Sequence, residues 1–375
     1  MAANPSKLES VQALRGFAAL YVFLFHAKIP LPLWSDQASN ALLDVVHRGF
    51  MGVDVFFVIS GFILAWSDVL SGKPNGGPIA FGIKRVFRVA PPYWIATFLA
   101  LYIFAQGNTP DDLARSLAFL PLSGEQPPFY GYAVHTVGWT LNYEMFFYAV
   151  FCGALFFRRY ALVIVISVLV GAVFLMPLFV GGDLSFAADR VLQLPRNYLR
   201  LATNPLVLEF AVGIACAMLF KTLRGKLPNA ATAALLVIGI VLMAWRMAAH
   251  AGMHGVLPLG LPAAVLLLGA VLAEDAGLLR VPRQLVWLGE MSYSIYLIHP
   301  IIVGIGMWKM APPAGTGGLY GKFIFELGAI LISAHYWHQW IEVPSMRFGS
   351  RSARILSSKT SEKPEEYRNI PPKTH

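Results

Sequence analysis

Hydrophobic residues fall along this chain in long unbroken blocks, without the period-two alternation of strands or the narrow stripe of a soluble amphipathic helix. A helix needs roughly 20 residues to cross a hydrocarbon core of about 30 Å. Ten blocks reach or approach that length, near 11–30, 50–70, 91–106, 137–157, 161–180, 201–220, 231–250, 258–274, 287–309 and 321–341. The pattern predicts an all-α polytopic membrane protein, a bundle of about ten transmembrane helices. Blocks three and eight are short. Block three opens on Pro91 and Pro92, which are expected to end the basic helix before it.

Composition sharpens this reading. Hydrophobic residues make up 57% of the chain and charged ones 13%, about half the soluble norm of roughly 25%. With the N-terminus placed inside, nineteen Lys and Arg fall in the inner segments and eight in the outer ones. By the positive-inside rule both termini face the cytosol, and the protein is expected in the cell's inner (plasma) membrane. The net charge of +9 reflects this bias, so no nucleic-acid partner is invoked. The first block holds Arg15 and His26 with no cleavage signature after it, and is expected to be a retained span. Residues 1–341 read as one membrane domain and 342–375 as a polar, disordered cytosolic tail. Cys152 and Cys216 lie inside predicted helices, apart from any disulfide or metal pattern, and read as packing residues. The absence of an internal repeat counts against inverted-repeat transporter plans.

Chemistry enters through polar residues in apolar surroundings. Arg15 and His26 stand eleven residues apart in QALRGFAALYVFLFH, which puts them on nearly one helix face about 16 Å apart along the axis. Charged groups at such depth mark functional sites by default, although snorkelling to the two interfaces explains the same pair. Counting residues from the span ends puts His26, Asp54 and Glu144 at similar depth in the outer half, where they are expected to face one another or a wet cavity. Lys84, Arg85 and Arg88 form a basic group at the inner surface, with Arg15 at a similar level. These cations either satisfy the positive-inside rule against membrane lipids or form a phosphate clamp. Together the two groups outline a site for a long donor with a phosphate head and a reactive tip.

Five motifs in order carry a resemblance: the Arg-to-His spacing of the first span, GVDVFFVISGF (52–62), RVFR (85–88), GWTLNYEMFFY (138–148) and GEMSYSIYLIHP (289–300). They resemble the membrane-bound acyltransferase-3 family, and are most similar to the exopolysaccharide (succinoglycan-type) O-acetyltransferases. That resemblance implies transfer of an acyl group, usually acetyl, from cytosolic acyl-CoA to a hydroxyl of a glycan or glycolipid at the outer side. It places acetyl-CoA phosphates on Arg15, Arg85 and Arg88, makes His26 the base, and gives Asp54 or Glu144 the task of orienting it. No metal is called for. Trp139, Asn142 and Tyr143 are candidates for the acceptor pocket or for an interfacial aromatic belt. Ser292, Tyr293, Tyr296 and His299 recur at helical spacing and read as interhelical hydrogen-bonding groups. Ser60 and Gly61 read as close-packing residues, with Ser60 also a candidate acyl carrier. Glu209, Arg246, His335 and His338 have no assigned role. Two other readings stay open: O-acylation of a small secreted metabolite such as a macrolide sugar, and a transporter or flippase for an anionic glycolipid with a His26–Asp54–Glu144 proton relay.

Overall fold

A computed structural model describes residues 8–27, 45–72, 76–104, 107–249, 254–308, 310 and 315–361. Every regular element among them is helical. The principal helices are α1 (Glu9–Ala27), α2 (Gly52–Ala65, continued by a π-type turn Trp66–Leu70), α3 (Gly77–Phe104), α4 (Pro110–Leu117), α5 (Gly138–Leu155), α6 (Ala161–Val180) and α7 (Asn197–Ala202). They are followed by α8 (Leu208–Leu223), α9 (Asn229–Ala248), α10 (Leu261–Asp275), α11 (Arg283–Glu290), α12 (Ser292–Trp308), α13 (Gly315–Trp337) and α14 (Val343–Ser361).

Seven described segments are long and apolar enough to cross a membrane: 9–27, 49–70, 77–104, 158–180, 205–223, 229–248 and 256–275. An eighth follows if α11 and α12, bent by 67° at Met291, count as one crossing. The ninth block, predicted as one span at 287–309, is therefore broken. Gly289 lies against the Gln12 carbonyl, where an added Cβ would come within 2.0 Å, so α11 is pressed onto α1 while α12 turns into the bundle. Helices α5 and α13 span 18 and 23 residues. Asn142 and Glu144 interrupt the apolar run of the first, and Lys322 and Glu326 that of the second.

Two helix ends and one crossing fix the bundle. The start of α1 is capped from the end of α10: the Glu274 carboxylate accepts the backbone N–H of Glu9 and of Ser10, each at 2.8 Å, and the Ser10 hydroxyl. A carboxylate there meets both the orphan donors and the positive end of the helix dipole. Where α2 crosses α8, Gly61 faces the Phe210 carbonyl and Gly213 faces the Val58 carbonyl. A Cβ on either glycine would come within 2.1 Å or less of that oxygen. Small residues let two backbones meet where lipid tails give helices no hydrophobic reason to associate, as expected for Gly61.

Two expectations are overturned. Pro91 and Pro92 do not end a helix; α3 runs 28 residues through both. Proline at 91 removes the N–H that would serve the Phe87 carbonyl, and the Ser345 hydroxyl of α14 donates to that oxygen instead. The segment expected to be disordered from 342 is helical to Ser361. It packs on α3, with Gly349 against Phe87 and the Phe87 and Phe348 rings 5.1 Å apart. The remainder of that tail, 362–375, lies outside the described residues.

Candidate functional site

Two cavities lie along the same three helices. The first, about 190 Å³, is lined by Arg15, Arg85, Arg88, Ser60, Glu144 and Tyr296, among others. The second, about 900 Å³, takes His26, His47 and His135 together with Phe104 and the Pro300 end of α12. Helix α1 contributes Arg15 to the first and His26 to the second; α3 contributes Arg85, Arg88 and Val89, then Ala100 and Phe104; α12 contributes Tyr293 and Tyr296, then Pro300 to Met307. All three helices therefore pass the basic cavity before the imidazole cavity. Eleven residues of α1 set a spacing of about 16 Å between them.

The layer between the cavities is polar and connected. Tyr296 shares a 2.8 Å hydrogen bond with the Thr140 hydroxyl and stacks at a tilt on His299, ring centroids 5.7 Å apart. His299 in turn lies on His26, with centroids at 4.9 Å and His299 Nε2 3.3 Å from His26 Nδ1. His26 Nδ1 also faces the Val22 carbonyl at 2.9 Å. A carbonyl only accepts, so Nδ1 holds the proton and the lone pair of a neutral His26 sits on Nε2. Tyr293, Tyr296 and His299 all bond across helices, Tyr293 through the Val89 carbonyl at 2.8 Å.

Three arginines and one acid, Glu144, line the basic cavity, and two more acids pair with groups at its edge. Arg85 is paired with Asp68 at 3.0 Å and lies over the Phe81 and Tyr148 rings. Arg15 is close enough to Arg88, Glu144 and Glu342 to feel their charges. Glu342 is buried and accepts from the Ser294 hydroxyl at 2.7 Å and from His338 Nδ1 at 2.9 Å. Glu144 belongs here, and so departs from the group with His26 that depth alone predicted. It accepts from the Tyr148 hydroxyl and, at 3.4 Å, from Ser60. Thr140, Glu144 and Tyr148 share one face of α5 at four-residue spacing, and that face looks onto the arginines. Depth along a span says nothing about which way a side chain points.

Asp54 likewise has a different imidazole from the one expected. It is fully buried and bonded to His254 Nδ1 at 2.8 Å and to the Gly255 N–H at 3.1 Å. Glu209, also fully buried, sits beside it as a second carboxyl. The His254 ring is edged by Phe50, Phe129 and Trp139 at 5.2 to 6.1 Å. Trp139, Asn142 and Tyr143 are all buried and line neither cavity. Trp139 packs on His254, and the Tyr143 hydroxyl donates to the Pro128 carbonyl at 2.9 Å. His254, Asp68, Glu342 and Thr140 were not among the predicted site residues. His254 follows a glycine and a methionine in a short connection with no acidic residue near it in sequence, so nothing local points to its pairing with Asp54. Among the described residues no group of His, Cys, Asp and Glu has the arrangement of a metal site.

These features define a polytopic helical membrane protein with a basic cavity and an imidazole cavity set in line. The chain belongs to the acyltransferase-3 family: the family described as an acyltransferase domain matches residues 8–336. It is 33% identical over 326 residues to the exopolysaccharide production protein ExoZ of Rhizobium meliloti (strain 1021), which spans 82% of this chain and 93% of that one. It is 27% identical over 380 residues to the acyltransferase MdmB of Streptomyces mycarofaciens, across 94% and 95% of the two chains. A shorter likeness, 31% over 160 residues, links it to the membrane-bound transacylase BcsY, named as putative, of Komagataeibacter xylinus, covering 39% of this chain and 36% of that one. No solved structure matches it significantly. Family and relatives together support an O-acyltransferase of the membrane.

Proposed function

We propose that the protein transfers an acetyl group from cytosolic acetyl-CoA to a hydroxyl of an exported or cell-surface polysaccharide or glycolipid, at the outer side of the inner membrane. The observation that carries this reading is the serial arrangement of the two cavities along α1, α3 and α12. Three guanidinium groups suit the phosphates of a CoA donor, and an imidazole one cavity further on suits the deprotonation of a hydroxyl. Ten crossings complete the scheme when α5 and α13 are counted with the eight described above, and both termini then lie in the cytosol.

In this scheme Arg15, Arg85 and Arg88 hold the donor phosphates while the pantetheine arm passes Tyr296 and Thr140. Neutral His26 takes the acceptor's proton on Nε2 as the hydroxyl oxygen attacks the thioester carbonyl. Collapse of the tetrahedral adduct expels the CoA thiolate, and the imidazolium returns a proton to it. A positioned base of this kind contributes roughly 100-fold to 10,000-fold. His299 replaces the carboxylates first expected at the back of His26, since it accepts from Nδ1 and so holds the ring in the productive tautomer. Likeness to the exopolysaccharide production protein over most of the chain favours a polysaccharide acceptor. Likeness to the Streptomyces acyltransferase over nearly the full length keeps a small secreted metabolite as the second reading. The test is the O-acetyl content of exported polysaccharide from cells with the gene deleted, restored, or restored as His26→Ala. Acetyl that is lost on deletion, regained with the wild type and not regained with His26→Ala is expected. Unchanged acetylation on deletion rejects the polysaccharide as acceptor.

A further inference from the structure

We propose that α14 carries a docking site for the headgroup of an anionic phospholipid, at the end of the bundle that holds the basic cavity. The sequence of α14, VPSMRFGSRSARILSSKTS, contains no acidic residue. Arg347, Arg351 and Arg354 follow one another at helical spacing and, with Val343, Met346 and Ser350, line a shallow crevice of about 300 Å³. All three arginines are exposed. Beside this basic face stand Phe348 and Ile355, 59% and 58% exposed, about a quarter-turn around the helix. The opposite face is taken: Ser345 bonds the Phe87 carbonyl, Gly349 meets Phe87, and Ala353 is buried.

A helix fixed by one face, with cations on another and large apolar side chains at the border between them, has the geometry of one lying in the membrane interface. The cations then reach phosphate while Phe348 and Ile355 enter the acyl boundary. Charge selects an anionic headgroup over a zwitterionic one, by about fivefold in partitioning per arginine. The site adjoins the basic cavity, since Arg88 reaches the Met346 sulfur of α14 at 4.0 Å. It does not depend on the acyl-transfer reading.

The test uses the full chain purified in mild detergent and titrated with dioctanoyl-phosphatidylglycerol or dioctanoyl-phosphatidylcholine, with bound lipid counted by native mass spectrometry. Wild type is expected to retain the phosphatidylglycerol preferentially. R347Q/R351Q/R354Q should lose a preference on the order of 100-fold with its helical circular dichroism unchanged, and R347K/R351K/R354K should keep most of it. Equal retention of the two lipids by wild type overturns the proposal, as does an intact preference in the glutamine variant. Displacement of the lipid by inorganic phosphate or free CoA also overturns it, by assigning the crevice to soluble phosphates.

Discussion

Replacing Asp54 by Ala leaves two buried donors without an acceptor, His254 Nδ1–H and the Gly255 N–H, now held at 2.8 and 3.1 Å. Each unsatisfied buried donor costs about 1–3 kcal/mol, so the loss lies between roughly 2 and 6 kcal/mol. SDS-driven unfolding in mixed micelles, followed by circular dichroism, measures it. Adding His254→Ala to form a double-mutant cycle isolates the pair, and the double variant should be about 1–3 kcal/mol more stable than the sum of the single losses predicts. The same cycle between Asp54 and His26 is expected to couple less. An additive Asp54/His254 cycle, or a stronger coupling to His26, refutes the placement of Asp54 and restores the partner that depth counting had given it.

Two further outcomes follow from the same geometry. Asp68→Asn removes the carboxylate that pairs with Arg85 at 3.0 Å; because Arg85 lines the basic cavity, freeing its guanidinium should tighten acetyl-CoA binding several-fold by calorimetry, whereas weaker binding would assign Asp68 to the donor site itself. Gly61→Ala drives a Cβ to within 2.1 Å of the Phe210 carbonyl; overpacking of this kind costs about 1–3 kcal/mol, and an unchanged unfolding midpoint would show that α2 and α8 do not meet there.

The helical class was legible because each crossing needs an apolar run of its own: the blocks at 50–70, 137–157, 161–180, 231–250 and 258–274 fall largely on helices, while block three is the latter part of a helix that starts at Gly77. The proline pair misled for a physical reason: the carbonyl freed at Phe87 finds a hydroxyl 258 residues away, and no local pattern announces such a partner. The basic group was legible because Arg15, Arg85 and Arg88 share a level in the membrane and turn out to line one cavity. The acid group was not, since a shared level leaves azimuth free. Glu144 points one way along α5, Asp54 another from α2, and the imidazole that meets Asp54 comes from a connection near residue 254. His299 was visible as a polar residue at helical spacing, but its contact with His26 required α1 and α12 to be neighbours.

The central claim is that the basic cavity receives the acyl donor and the imidazole cavity performs the transfer. Calorimetric binding of acetyl-CoA to the protein in nanodiscs, for wild type, Arg85→Ala, Arg88→Ala and His26→Ala, tests it most directly. Saturable binding by wild type and His26→Ala, weakened at least tenfold by the loss of either arginine, is the result predicted; a charge-assisted contact to phosphate is worth about 1.5–3 kcal/mol. A folded wild type that binds no acetyl-CoA, or arginine variants that bind it as wild type does, would contradict the assignment of the donor site.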